Sequence, residues 1–292
     1  MELPMKGLNV TKEIVQISDP SGFQKHRFGL PYQNRWETLK DKVFLVTGAG
    51  TGYGRAISVS LAAAGASVYM VGRRIEKLVE SINEAALYGI NTDNMYPFDA
   101  DMTKEEDIKK IVFQITQKSD RLDGMIGCSA LSPAHQNGFE HSSSEQWDKI
   151  LFVNVKSHWL ILQEAFPLMQ KSGFAKSIWF SSGAGWAFTP GIGLYNLSKA
   201  TLNAACGSMA AEYAQNHPAI DIQFNILDPW EAKTEMNTES PHSPYTVCAM
   251  TLALLSHGED GPNGRYFHRD GRHLGFLEAN PYEKSLFARE LC

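Results

Sequence analysis

The chain has 292 residues and a formal net charge of -5, with 32 acidic and 27 basic side chains. That length carries one large α/β domain with a full core, and the Lys and Arg are scattered rather than gathered into the basic stripe of a nucleic-acid surface. The longest apolar runs are strand-sized and too short to span a membrane.

The first 40 residues are mixed and polar, broken by Pro20, Gly22, Gly29 and Pro31. Phe23, Phe28 and Trp36 are apolar anchors, so residues 1–40 read as an arm lying over the domain or a neighbouring subunit. They hold no apolar stretch of the kind a secretory leader needs. Cys128, Cys206, Cys248 and Cys292 form no CxxC pair, and the expectation is a reduced, cytoplasmic chain.

Residues 42–47 (KVFLVT) predict a buried parallel strand. It runs into Gly48-Ala49-Gly50-Thr51-Gly52-Tyr53-Gly54, and residues 55–64 then take helical spacing. Strand, glycine turn and helix together make a dinucleotide fingerprint: the glycines let the backbone approach a pyrophosphate, and the helix start offers it free N–H groups. Residues 67–71 predict the second strand, which ends in Gly72-Arg73-Arg74 instead of a ribose-binding carboxylate. Two guanidiniums there favour a 2′-phosphate, hence NADP(H) over NAD(H). The third strand, residues 94–98, leads to Asp101, placed to meet an adenine edge, and Thr103 with Glu106 predicts a capping box.

A fourth strand is expected over 122–128, with loop 129–141 bordering a pocket. Residues 144–169 predict one long helix with Asn154 among apolar neighbours, where its amide needs partners. The fifth strand, 177–181, opens into a Ser- and Gly-rich loop carrying Ser182. The next helix, 193–215, places Tyr195 and Lys199 four apart on one face. A free phenol has a pKa of about 10, and a neighbouring ammonium lowers it, which would make Tyr195 a general acid or base for an alcohol or carbonyl. Strands follow at 219–227 and 265–268, and residues 276–292 form a tail with apolar residues suited to a partner. Among the histidines, His135, His141, His242, His268 and His273 show no ligand spacing, and no metal site is expected.

These pieces, over residues 40–272, resemble the single-domain short-chain dehydrogenase/reductase family. Gly48, Gly52 and Gly54 match its TGxxxGxG, and Asn154, Ser182, Tyr195 and Lys199 match its catalytic tetrad in type, order and spacing. Gly72-Arg73 matches the NADP-preferring pattern, and Thr234 matches a cofactor-touching threonine. The resemblance implies a Rossmann-type doubly wound fold with a seven-stranded parallel sheet and helices on both faces, within residues 41–275. It implies hydride transfer between NADP(H) and a small-molecule carbonyl or secondary alcohol. Tyr195 would protonate the carbonyl oxygen, Lys199 would hold the nicotinamide ribose, Ser182 would position the oxygen, and Asn154 would hold a water. Cofactor contacts are expected from Gly48, Thr51, Gly52, Tyr53, Gly54, Arg73, Arg74, Asp101, Met102, Ser129, Pro229 and Thr234, with Tyr195 and Lys199. A homodimer or homotetramer is expected.

Two departures stand out: Gly127-Cys128-Ser129-Ala130 replaces the family's NNAG, and Pro229-Trp230 replaces its Pro-Gly. Trp230 is expected to crowd the nicotinamide side or wall the pocket. Two other functions are kept open, a nucleotide-sugar epimerase or dehydratase of the extended branch and a non-catalytic NADP-binding scaffold.

Overall fold

The computed structural model describes residues 37–131, 138–259 and 261–275. Strands β1 (Val43–Thr47), β2 (Ser67–Gly72), β3 (Met95–Asp99), β4 (Gly124–Gly127), β5 (Phe174–Phe180), β6 (Asp221–Asp228) and β7 (Arg265–His268) form a parallel sheet. All seven expected parallel strands are present. An eighth, β8 (His273–Gly275), pairs antiparallel with β7 at the edge, where Asp270-Gly271 permits a tight return. The order is β3-β2-β1-β4-β5-β6-β7-β8. Chain direction across the sheet reverses between β1 and β4, and in open α/β sheets ligands bind at such a switch point, beyond the strand ends.

Buried parallel strands are apolar on both faces, and all five residues of β1 are buried. Phe44 and Val46 face a core made with α1 (Gly52–Ala63), α2 (Ile75–Leu87) and α8 (Cys248–Leu255). Val43 and Leu45 face the opposite core, made with α3 (Glu105–Thr116), α5 (Ser157–Ser172) and α7 (Gly193–Asn216). Each large side chain buried there, Trp179 and Phe224 among them, contributes ~1.5–3 kcal/mol of hydrophobic stabilisation.

The long helix expected over 144–169 is divided. A helix α4 (Ser144–Leu151), opened by a Ser143/Gln146 capping box, passes through a π-helical turn (Phe152–Lys156) into α5. The apolar pattern runs unbroken through the turn, but Asn154 sits in its middle and bonds outward. The Thr103 capping box is also corrected: α3 starts after Lys104 without a side-chain cap, and the Thr103 hydroxyl donates to Asp101 instead. A four-residue helix, α6 (Ala184–Ala187), lies inside the loop expected between β5 and α7. Most of the arm at 1–40 and all of the tail at 276–292 lie outside the described residues, as do positions 132–137 of the pocket loop, His135 included.

Candidate active site

A cleft of about 790 Å³ runs along the C-terminal ends of the parallel strands. The glycine turn forms its nucleotide end. Thr51 precedes α1 in extended conformation and gives it no side-chain cap, so the first N–H groups of the helix remain available to a ligand. The turn is held from behind. The Arg55 guanidinium donates to the Gly50 carbonyl at 2.7 and 3.0 Å, and the Ser81 hydroxyl donates to the Ala49 carbonyl at 3.1 Å. A Cβ on Gly54 would stand 2.2 Å from the Gly48 carbonyl oxygen; no side chain fits there. This backbone cradle suits a pyrophosphate.

Arg73 and Arg74 line the same cleft beside Lys77, Asp101, Met102 and Thr103. Their situations differ. Arg74 stands just before α2, giving it no side-chain cap, and pairs with Glu235 at 2.6 Å, tying α2 to the loop after β6. Arg73 is exposed and makes no ion pair with a described residue. The Asp101 carboxylate accepts from the Thr103 N–H and hydroxyl at 3.0 and 2.9 Å. Burial acts to raise its pKa, but these two bonds and the charge of Arg73 outweigh it and hold the carboxyl below its usual range.

At the other end of the cleft stand Ser182, Tyr195 and Lys199. The Ser182 and Tyr195 hydroxyls are hydrogen-bonded, and Ser182 Oγ also accepts from the Ala184 N–H at 3.1 Å. Lys199 Nζ lies 5.6 Å from the centroid of the Tyr195 ring and donates to the Phe180 carbonyl at 2.7 Å. Asn154 is fully buried; its Oδ1 accepts from the Leu131 N–H at 2.7 Å and its Nδ2 donates to Ser198 Oγ at 3.0 Å. Ser198 in turn donates to the Tyr195 carbonyl. Asn154 therefore locks the pocket loop to the helix that carries Tyr195, and π-helical turns recur at such functional positions.

Burial dominates the electrostatics. It pushes the Tyr195 phenol up to about 12; the Ser182 hydrogen bond acts in the opposite sense and the Asp228 charge adds to the rise. The lowering expected from the Lys199 ammonium does not prevail. Burial also lowers Lys199 to about 8, opposed by Cys128 and Asp228. Both shifts disfavour charge in a dry site.

The two departures from the NNAG and Pro-Gly patterns have physical accounts. A Cβ on Gly127 would meet His158 Cδ2 at 2.2 Å, so the imidazole fills the space a side chain at 127 would need. The backbone after β4 is kept in place by Thr47, whose Oγ1 accepts from the Cys128 and Ser129 N–H groups, both at 3.2 Å. Trp230 has φ +57°, the left-handed conformation that a glycine takes freely. Three contacts hold it there: its N–H donates to Asp228 Oδ1 at 2.9 Å, its carbonyl accepts from the Tyr53 hydroxyl at 2.7 Å, and its indole packs edge-on to His268. The indole is 56% exposed and walls the cleft rather than filling it. Thr234 and Pro229 complete this wall. Sequence reasoning missed Asp228 and Tyr266; the one visible signal was a carboxylate closing an apolar strand before a proline.

A doubly wound sheet with a glycine-rich turn and an uncapped helix start at its switch point defines a nucleotide-binding α/β enzyme class. A family model for short chain dehydrogenase matches residues 42–244. The chain is 30% identical over 230 residues to Dehydrogenase/reductase SDR family member 4 of Sus scrofa, across 77% of this chain and 80% of that protein. It is 26% identical over 235 residues to the uncharacterized oxidoreductase YciK of Escherichia coli strain K12, across 78% and 91%. A short chain dehydrogenase from Escherichia coli CFT073, solved in complex with NADPH, matches with a TM-score of 0.70 at 26% identity, covering 80% of this chain and 98% of that one. The chain belongs to the short-chain dehydrogenase/reductase family and is an oxidoreductase of the kind that binds a nicotinamide cofactor.

Proposed function

We propose that the protein transfers hydride between NADP(H) and a carbonyl or secondary alcohol, with Tyr195 as general acid and base. The observation that carries this is the placement of two groups of residues along one cleft: Arg73 beside the glycine cradle at one end, and the hydrogen-bonded Ser182–Tyr195 pair with Lys199 at the other. The residues fit the cofactor. The Gly54 cradle and the uncapped start of α1 suit its pyrophosphate, and Arg73 suits a 2′-phosphate. When bound, the nicotinamide supplies or accepts the hydride.

The protein's part is orientation and proton movement. Ser182 Oγ, fixed by the Ala184 N–H, holds the reacting oxygen against the Tyr195 hydroxyl. Tyr195 donates its proton to that oxygen in reduction and takes it back in oxidation. Lys199, held by the Phe180 carbonyl, keeps a positive group beside the phenol. Asn154 anchors the helix that presents both. A homodimer or homotetramer belongs to this reading, formed across the apolar groove of Leu151, Phe152, Trp159, Ala205 and Met209 on α4, the π-turn, α5 and α7; a monomer in sedimentation would contradict it.

The test is NADPH oxidation with a panel of ketones. Tyr195→Phe should lower turnover by about 10²–10⁴-fold while NADPH affinity changes little. Unchanged turnover in the variant would refute Tyr195 as the acid.

A further inference from the structure

β6 is buried from Ile222 onward and ends in a carboxylate, Asp228, which is only 5% exposed. Asp228 lines the same cleft as Ser182 and Tyr195. Its Oδ1 accepts from the Trp230 N–H at 2.9 Å, and its Oδ2 accepts from the Tyr266 hydroxyl at 2.8 Å. Neither donor carries charge. No cation of a described residue lies within ion-pair distance of it. The basic groups around it are engaged elsewhere: Lys199 donates to the Phe180 carbonyl, the Arg269 guanidinium donates to the Glu231 carbonyl and to Thr246 Oγ1, and Arg272, whose charge feels Asp228, pairs with Asp270 at 2.8 Å. An ionised carboxylate accepts about four hydrogen bonds, so this one has capacity left. Taking such a group out of water without a counter-charge is expensive.

Two residues of the cleft shape the space beside it. Gly183, next after Ser182, has no side chain to screen the carboxylate, and a Cβ there would lie 3.7 Å from Asp228 Oδ2. The Trp230 indole stands exposed in the cleft wall. Aromatic faces attract cations, most strongly when these are partly desolvated. A substrate hydroxyl could fill the spare acceptor sites but would bring no positive charge to the carboxylate.

We propose that Asp228, with Trp230 beside it in the cleft wall, is a specificity site for a cationic nitrogen, so that the substrate is a ketone or secondary alcohol bearing an ammonium group. The inference rests on the hydride-transfer reading above. It also gives the substrate a part in its own reaction. Asp228 opposes ionisation of Tyr195, and an ammonium beside the carboxylate would relieve that opposition when substrate is in place. The oxidised nicotinamide ring is a second possible source of positive charge, and the test must separate the two.

The experiment compares N-methyl-4-piperidone with its nitrogen-free isostere 4-methylcyclohexanone at neutral pH, each with NADPH. The wild-type protein should favour the amine by about tenfold or more in kcat/KM, the worth of one charge-compensated contact. Asp228→Asn should bring the ratio to within about twofold, whereas Tyr266→Phe, which keeps the carboxylate, should preserve the preference. Equal rates in the wild type, or a preference for the neutral ketone, would overturn the proposal even if Asp228→Asn failed to fold. If neither ketone turns over, competition between the corresponding alcohols for the NADP-bound protein reads the site without catalysis. Tighter binding of the amine alcohol then supports the cation site and sets the failure on the hydride-transfer reading; equal binding overturns the site. If Asp228→Asn shifts the ratio of NADP⁺ to NADPH affinity but leaves the ketone preference intact, the carboxylate serves the cofactor and the substrate proposal falls.

Discussion

The two ends of the cleft are built by different means. The nucleotide end is backbone: a turn whose glycines are forced by contacts such as Gly54 against the Gly48 carbonyl, braced by Arg55 and Ser81. The substrate end is side chains from distant parts of the chain: Ser182, Tyr195 and Asp228, the last braced from behind by Tyr266, with the exposed Trp230 indole. The first tolerates no side chain at Gly54, where a Cβ would meet backbone at 2.2 Å, and little at Gly48, where one would meet the Cys128 backbone at 3.0 Å. The second keeps its backbone geometry even where it departs from the family pattern, as Trp230 shows by taking a glycine's conformation. A common cofactor and a private substrate would demand this division, since rigid backbone recognises what is shared and side chains recognise what differs.

The most severe test of the contrast is Gly54→Ala. One methyl placed 2.2 Å from a carbonyl oxygen must displace the turn, and affinity for either dinucleotide should fall by about 100-fold or more, with ~1–3 kcal/mol of stability lost to overpacking. Titration by cofactor fluorescence together with a thermal melt reads both. Retained affinity would mean that the turn is not the phosphate cradle.

A smaller effect probes the core behind the cleft. Burial pushes His158, packed under Gly127, from 6.5 down to about 3, and pushes His257 down to about 4, with Lys176 adding to the latter. Both are depressed, so each contributes stability that is complete above pH 6.5 and is lost as pH falls toward the folded value. Each should steepen acid destabilisation by up to ~1.4 kcal/mol per pH unit. Denaturant midpoints measured from pH 7 to 4 should fall, and His257→Gln should flatten the slope. A midpoint independent of pH over that range would contradict the burial of these rings as neutral groups.

The smallest expected change is at the substrate end. Trp230→Gly removes a left-handed non-glycine conformation that costs ~1 kcal/mol, but also loses the indole contact with His268. Stability should move by less than about 1 kcal/mol while the choice among ketones changes. A large loss of stability with unaltered ketone selectivity would make Trp230 a structural residue and blur the contrast.

How much of this could be read from the residues follows the same division. The glycine turn lies in one contiguous run, and Tyr195 and Lys199 share a face at helical spacing, so local pattern reveals both. The π-turn at Asn154 is hidden because its apolar spacing continues that of the helices around it. Arg74 with Glu235, and Asp228 with Tyr266, join residues that only the folded sheet brings together. The two arginines look equivalent in sequence; the fold separates them by engaging Arg74 with Glu235. β8 escapes notice because three residues carry no period, and its place is set by pairing with β7.

The central claim, that this cleft takes a nicotinamide dinucleotide carrying a 2′-phosphate, is tested most directly by paired fluorescence titration of the purified protein with NADPH and NADH. The account predicts much tighter NADPH binding. It also predicts that Arg73→Ala weakens NADPH by about 10- to 100-fold, as expected for charge-assisted bonds, and leaves NADH nearly unchanged. Equal affinity for the two, or equal weakening of both by the substitution, would contradict it.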